Sequence, residues 1–212
     1  MVRPARSGAA RAESTRELLL TTAERLYAQR GLAHVSNRLV AQEAGQANNS
    51  AVAYHVGSKD DLVRTICRGH AEAVSAGTVE LVAAARDSRH ARDHVAALVL
   101  PYTRHLAALG SPCWAARFIA QVLADPVHGP TVGWHEGIVA AHAEGGTAMW
   151  SFAPPLPGPV VTLRLQMMRL LVVHTCAEQE ADADALGRPV DWEPVGEALV
   201  DALTGVLLAP HR

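Results

Sequence analysis

Several features that mark other classes of protein are scarce or missing in this 212-residue sequence. Aromatic residues make up only 4% of it, and the alternating β-branched and aromatic pattern of strands around Asn-Gly turns is missing, which argues against a β-fold. No run of 18 apolar residues occurs, and the basic, polar start lacks the apolar stretch of a signal peptide. The three cysteines are odd in number and widely spaced, which is typical of a reducing cytosol. We therefore expect a cytoplasmic protein with no membrane partner.

The sequence motifs that carry catalysis or metal binding are also missing. The patterns Gly-x-Ser-x-Gly, Gly-x-Gly-x-x-Gly and Gly-x-x-x-x-Gly-Lys do not occur, so neither a hydrolase elbow nor a phosphate loop is predicted. His90 and His94 have the spacing of a metal pair on one helix face, but no third ligand follows at a matching spacing. We expect no enzyme activity, no cofactor and no metal, and we interpret these histidines as solvated surface residues.

Charge is distributed unevenly along the chain, although the formal net charge is only −2. Residues 1–64 hold nine Arg or Lys against six Asp or Glu, whereas the rest of the chain holds ten against fifteen. A basic end on an acidic body is expected when only one end of a protein meets phosphates. Residues 1–12 are basic and unpatterned and are predicted to form a flexible tail, which either follows a DNA backbone or has no role.

Helical periodicity runs through the whole chain, so the predicted fold class is all-α. Ser14 and Glu17 form a capping box that predicts the start of the first helix, and Gly31 predicts its end. A second capping box at Ser58 predicts a longer helix that reaches about Ala76. Further helices are predicted near residues 90–109, 114–124, 131–144, 160–183 and 192–208, with a proline-rich linker over residues 145–159.

Two short helices are predicted between these capping boxes, at residues 36–44 and 48–55, with Gly45 as the turn residue between them. Val40 and Val52 would be their inner contacts. Two short helices that meet in this way after a third are typical of a helix-turn-helix module, whose second short helix enters the DNA major groove.

The exposed polar residues of this module are suited to reading DNA. Asn can bind adenine with two hydrogen bonds, and Arg can reach a guanine or a phosphate. Alternatively, Asn48 and Asn49 act only as helix caps, and Tyr54 packs internally. The predicted DNA contacts are Ser36, Arg38, Gln46, Asn48, Asn49, Ser50, Tyr54, His55 and Lys59.

Within residues 14–66, the stretches 15–31, 39–45 and 53–62 resemble the TetR (tetracycline repressor) family of bacterial transcription regulators. The turn between the two short helices is one residue longer than is usual in that family. The resemblance implies a base contact for Arg38, an aromatic–histidine pair for Tyr54 and His55, and a phosphate contact for Lys59. It also implies an N-terminal three-helix DNA-binding head followed by a larger helical domain for ligand binding and dimerisation.

We therefore place the DNA-binding domain at residues 13–57 and the ligand-binding and dimerisation domain at residues 58–212. Six of the nine aromatic residues fall between residues 102 and 152, and helical bundles hold ligand cavities between such helices. An apolar or aromatic small-molecule effector is expected, although each of these residues can instead belong to the core. The predicted ligand contacts are His105, Trp114, Phe118, Gln121, Trp134, Met149, Trp150, Met167 and His174.

The helix predicted at residues 160–183 is apolar on two faces, and only one of them can meet its own subunit's core. One stripe holds Leu163, Met167, Leu170, Leu171 and His174, and the other holds Leu165, Met168, Val172 and Cys176. Pairing with a second copy would bury the surplus surface, unless both faces merely close the core. The predicted dimer interface is Leu165, Met168, Val172, Leu199, Leu203 and Val206.

These observations together predict a one-component transcriptional regulator. We expect a dimeric repressor that binds a pseudo-palindromic operator in double-stranded DNA and is released by a small molecule that prefers another conformation. An activator or a regulator that needs a co-repressor is the alternative with the same fold. A helical ligand-binding bundle that does not bind DNA is the alternative from another class.

Overall fold

The computed structural model describes residues 5–46, 51–129 and 136–211. Regular structure in these ranges is entirely helical, with nine α-helices and no strand, so the all-α prediction is confirmed. The helices are α1 (Ala5–Arg30), α2 (Asn37–Glu43), α3 (Ala51–His55), α4 (Lys59–Ala85), α5 (Ala91–Leu109), α6 (Ala115–Ala124), α7 (Glu136–Trp150), α8 (Gly158–Ala185) and α9 (Trp192–Leu208). A short 3₁₀ helix, Leu32–His34, follows α1.

The chain divides into two compact units, which we call the head and the body. The head comprises residues 1–67 and 118–132, and the body comprises residues 68–117 and 133–212. The head therefore extends past the boundary predicted after residue 57.

Contacts within the head explain why a second stretch of chain belongs to it. The ring of Phe118 stacks on that of Tyr27, with centroids 6.0 Å apart. His128 lies 3.1 Å from Asp60 and 3.0 Å from Asp125 through its two ring nitrogens. The contacts of Phe118 with Tyr27 and of His128 with Asp60 join residues that are more than sixty positions apart in the sequence, so no local pattern could have predicted them.

The first helix begins earlier than predicted. It runs from Ala5 without a break at Ser14, so the capping box predicted there is wrong, and residues 5–12 of the predicted flexible tail are helical. The Thr15 hydroxyl donates to the carbonyl of Arg11 at 2.9 Å, as a hydroxyl inside a helix does. Residues 1–4 of the tail lie outside the described residues.

The proline-rich linker is shorter than predicted. Helix α7 continues to Trp150, because the first proline of the segment is Pro154 and the glycines before it do not prevent helix formation. A Cβ on Gly145 would come within 2.8 Å of a Val82 methyl carbon and 2.9 Å of Leu98. Glycine therefore lets α7 lie close to α4 and α5 within the body.

The body is built around α5 and α9, which share one hydrophobic cluster. Val95, Val99 and Leu106 of α5 are buried with Leu199 and Leu203 of α9. A Cβ on Gly196 would come within 2.7 Å of the Thr103 hydroxyl oxygen, so a glycine permits this close approach. Because Leu199 and Leu203 are already buried in their own subunit, the prediction that they form the dimer interface is wrong.

One apolar stripe of α8 faces the core and the other faces solvent. The buried stripe is the one that was predicted to lie at the dimer interface. Met168 and Cys176 are buried in the body cluster, so Met168 does not belong to a dimer interface. Val172 packs against the same cluster, as does Val206 of α9. The residues of the other stripe are exposed, with Leu163 at 54%, Met167 at 50%, Leu170 at 48% and Leu171 at 39%. Leu165 is also exposed, near the start of the helix.

Helix α8 is also long and apolar enough to cross a membrane by length and composition alone, a test that core helices of globular proteins pass as well. It carries two charged groups on its packed face, Arg164 and Glu180, which are 8% and 2% exposed. Both form hydrogen bonds within the body. Arg164 donates to the carbonyls of Leu207 and Ala209, and the bonds of Glu180 are those to the start of α6.

Glu180 holds the beginning of α6. Its carboxylate accepts hydrogen bonds from the backbone N–H groups of Ala116 at 3.0 Å and Arg117 at 3.2 Å, and from the Arg117 guanidinium at 3.0 Å. An anion that caps a helix start in this way satisfies the free N–H groups and interacts favourably with the helix dipole. The burial of Cys176 one turn earlier, reinforced by the Glu180 charge, raises the pKa of its thiol to about 12.

Candidate nucleic-acid interface

The two short helices of the head have the geometry of a helix-turn-helix. Helix α2 begins at the Ser36 cap, whose hydroxyl oxygen accepts a hydrogen bond from the Leu39 N–H at 3.2 Å. Gly45 follows α2 with φ of 66°, a left-handed conformation that glycine adopts without strain. Val40 and Val52 are fully buried, so their prediction as inner contacts is confirmed.

Burial of these inner residues leaves the opposite sides of α2 and α3 free. Arg38 is exposed in the first turn of α2. Tyr54 is 84% exposed, the most of any large hydrophobic residue in the described chain, so the alternative in which it packs internally is excluded. Its ring meets the ring of His55 edge to face, with centroids 4.9 Å apart.

Gln46 closes the turn rather than pointing freely outwards. Its backbone N–H donates to the carbonyl of Ala41 at 2.9 Å, and its side-chain amide donates to that of Ala44 at 3.4 Å. Ser36 is likewise engaged in its cap, although its hydroxyl hydrogen remains a donor. The predicted base-reading residues Asn48, Asn49 and Ser50 lie outside the described residues.

Lys59 is engaged in contacts within the head. Its ammonium donates to the carbonyl oxygen of Leu32, and it lies 5.8 Å from the centre of the Tyr27 ring. An ammonium has three donors, so this bond leaves two for a phosphate. Lys59 therefore also joins the start of α4 to the end of α1, a structural role that the sequence did not indicate.

The start of α4 is fixed by the predicted capping box at Ser58, which is confirmed. The Asp61 carboxylate accepts from the Ser58 hydroxyl at 2.7 Å and from its backbone N–H at 2.9 Å, and the Asp61 N–H donates back to the hydroxyl at 3.1 Å. These bonds, with the Arg64 guanidinium at 2.9 Å, lower the pKa of Asp61 to about 2. Gly57, with φ of 111°, places this cap directly after α3.

The inner face of the head is hydrophobic and rigidly packed. Tyr27 is fully buried, its hydroxyl has no hydrogen-bond partner among the residues that the structure describes, and burial raises its pKa. Burial likewise raises the pKa of the Cys67 thiol to about 12, with a smaller contribution from Glu24. Arg25 and Arg30 both approach Glu43, at 3.3 Å and 3.9 Å, and so hold α2 against α1.

Two solved structures share this arrangement of helices. A protein from Shewanella sp. PV-4 that is assigned to the TetR family of transcription regulators aligns with 90% of this chain and 95% of its own, with a TM-score of 0.60 and 18% identity. The TetR-family transcriptional regulator PfmR from Thermus thermophilus aligns with 92% of this chain and 96% of its own, with a TM-score of 0.54 and 15% identity. The chain has the TetR-family fold. No protein-family model and no curated protein sequence matches it.

The TetR-family resemblance of the first 66 residues is thus confirmed as a resemblance of fold, and it extends over most of the chain. At these identities the comparison does not assign a role to any single residue. The residues predicted from the family pattern are therefore described by their own geometry.

The residues predicted to contact a ligand do not form one group in this TetR-family fold. Phe118 and Gln121 belong to the head, where Phe118 is fully buried, so neither lies in a body cavity. Met167 and His174 lie on the exposed stripe of α8 and are not cavity residues either. Trp134 lies outside the described residues.

The remaining predicted ligand contacts lie in the body. Met149 is buried in the core cluster, and Trp150 packs against it. The indole N–H of Trp114 is buried and has no hydrogen-bond partner in the part of the chain that the structure describes. His105 is half-buried, and its Nε2 lies 2.8 Å from Nδ1 of His70, a pair that sequence spacing did not indicate.

Proposed function

We propose that the chain is a transcription regulator whose head binds double-stranded operator DNA through α2, the following turn and α3. The exposure of Tyr54 carries this proposal. An aromatic side chain that is 84% exposed beside His55, on a helix anchored by a fully buried valine, is in a position to contact a phosphate. The exposed Arg38 on the neighbouring helix supplies the cation that a base edge or a phosphate requires.

The regulator acts as a dimer in this proposal. The exposed α8 stripe of Leu163, Met167, Leu170 and Leu171 is a continuous apolar surface on one helix, which would favour association in water. A two-fold axis through this stripe would pair it with its own copy. The dimer would present two heads to the two halves of a pseudo-palindromic operator.

In this proposal the regulator is a cytoplasmic repressor, and a small molecule bound in the body releases it from the DNA. The ligand shifts the equilibrium between two conformations by as much as its affinities for them differ. The effector is an apolar or aromatic compound, because the described interior of the body is lined mainly by apolar side chains.

Fluorescence anisotropy with labelled promoter DNA from the neighbourhood of the gene tests the DNA-binding proposal. Tyr54→Ala should weaken binding at least tenfold, since it removes a contact from each of the two heads. Leu18→Ala is the matched control, because Leu18 is an exposed apolar residue of the head that lies on α1. Equal affinities of the wild type and Tyr54→Ala would contradict the proposed interface.

A further inference from the structure

A cavity of about 300 Å³ that is open to solvent lies in the body, where α7 ends and α8 begins. Its size is at the lower end of the range for small-molecule sites, so it suits a molecule of one or two fused rings. The described residues that line it are apolar and uncharged: Trp150, Ala153, Pro154, Pro155, Leu156 and Val161.

The walls of this cavity, which we call the Trp150 pocket, are held in place by bonds that do not involve a ligand. The N–H groups of Phe152 and Ala153 donate to the carbonyls of Met149 and Trp150, at 3.2 Å and 3.1 Å. The ring of Phe152 lies 5.0 Å from that of His94 on α5. His94 is only 5% exposed, so its interpretation as a solvated surface residue is wrong. These hydrogen bonds order the end of α7 without a ligand, and an ordered wall lowers the entropic cost of binding.

The lining also determines the chemistry of the ligand. The planar indole of Trp150 and the apolar faces of two proline rings offer surfaces against which aromatic molecules pack well. An ionised ligand would lose part of its hydration against these apolar walls without gaining a charged partner among the lining residues that the structure describes. A neutral ligand avoids this cost.

We propose that the Trp150 pocket binds a small neutral aromatic molecule and that it is the effector site of the regulator. The effector role, but not the ligand site itself, rests on the proposed function. Trp150 and Ala153 line the pocket and also pack against the core cluster that holds Met168 of α8. Val161, which also lines the pocket, lies in the first turns of α8. A ligand in the pocket therefore contacts both the end of α7 and the helix that carries the exposed apolar stripe.

Isothermal titration calorimetry of the full chain with two probes of similar size tests the site. At pH 7, 1-naphthol is neutral and 1-naphthoate is an anion. We expect 1-naphthol to bind at least tenfold more tightly than 1-naphthoate. Equal binding of both probes, or no binding of 1-naphthol, would overturn the proposed chemistry of the pocket.

Two variants locate the bound 1-naphthol. Ala153→Leu adds three carbons to the pocket wall and should weaken binding at least tenfold, as should Trp150→Ala. Trp114→Phe is the matched control: it removes the unpartnered indole N–H elsewhere in the body and should change the affinity less than twofold. Binding that survives Ala153→Leu but is lost in Trp114→Phe would place the site at Trp114 and overturn the proposal.

Circular dichroism shows whether each variant folds. If Trp150→Ala does not fold, Ala153→Leu alone tests the location of the site.

The effector role has its own readout. At a concentration that nearly saturates the wild type but not Ala153→Leu, 1-naphthol should lower operator affinity several-fold in the wild type and much less in Ala153→Leu. If 1-naphthol binds the pocket while operator affinity stays the same, the effector role is overturned. If 1-naphthol binds but no promoter DNA does, the proposed function fails while the ligand site stands.

Discussion

The Arg164 side chain, 8% exposed, donates hydrogen bonds to two carbonyls at the C-terminal end of α9, those of Leu207 at 3.0 Å and of the capping residue Ala209 at 2.6 Å. The carbonyls at a helix end lack partners within the helix, and a cation there also interacts favourably with the helix dipole. Arg164→Ala should lower the free energy of unfolding by about 2 kcal/mol, because it leaves buried acceptors without donors. Urea denaturation measures the change. Arg169→Ala, at an exposed position of the same helix, is the control, and an equal effect of both would refute the capping role.

The Asp61 carboxylate predicts how stability responds to acid. Its pKa is lowered from 3.8 to about 2. The ionised carboxylate therefore adds to the free energy of unfolding above about pH 4, and this stabilisation is lost as the pH falls towards 2. Asp61→Asn should therefore flatten the decrease of unfolding free energy between about pH 4 and pH 2. Ser58→Ala removes the bonded hydroxyl and should act in the same direction. Urea denaturation across this pH range checks both, and a wild-type slope in Asp61→Asn would contradict the cap.

Capping residues could be predicted from the sequence only where the preceding residues do not themselves favour a helix. Ser36 lies five residues after Gly31, at which α1 has ended, and Ser58 directly follows Gly57; both cap the helices predicted for them. Ser14 has the same spacing to an acidic residue, but the preceding segment is rich in alanine, the strongest helix former, so the helix continues through it. Glu180 and Arg164 cap helices that are distant in the sequence, which no local pattern reveals.

At the scale of the helix, periodicity predicted the bounds of α5, α6 and α9 closely, whereas the faces of α8 were assigned wrongly. Both stripes of α8 are apolar, and the buried side contains the charged residues Arg164 and Glu180. Hydrophobicity alone therefore could not show which stripe faces the core. The buried stripe is also the side on which these two charges find their partners within the body.

The exposed stripe of α8 predicts the effect of a charge on association. Leu170→Arg should make the protein monomeric at concentrations where the wild type is a dimer, because it would place a charge in an apolar interface. Light scattering measures the mass. Leu186→Arg is the matched control, since Leu186 is 64% exposed just beyond α8. A dimer that persists in Leu170→Arg would place the interface elsewhere, whereas Leu203→Arg would instead disrupt the core.

At the scale of the whole molecule, the sequence predicted a basic N-terminal head followed by a larger acidic body. The structure likewise divides into a smaller unit that contains the N-terminal helices and a larger unit. The sequence did not predict that residues 118–132 belong to the head, because the stacking of Phe118 on Tyr27 is a tertiary contact. Three of the predicted base-reading residues lie outside the described residues, so Arg38 and Tyr54 carry the account of DNA binding.

The salt dependence of promoter binding tests that account most directly. If the head binds phosphates through cations, the logarithm of affinity should fall with the logarithm of salt concentration by about 0.9 per contact. Arg38→Ala in both subunits should flatten this slope by about one to two units if Arg38 contacts phosphates. Lys59→Ala is less direct, because Lys59 also bonds Leu32 within the head. A steep slope that Arg38→Ala flattens is the predicted result. The absence of promoter binding at low salt, or a slope that Arg38→Ala leaves unchanged, would contradict the account.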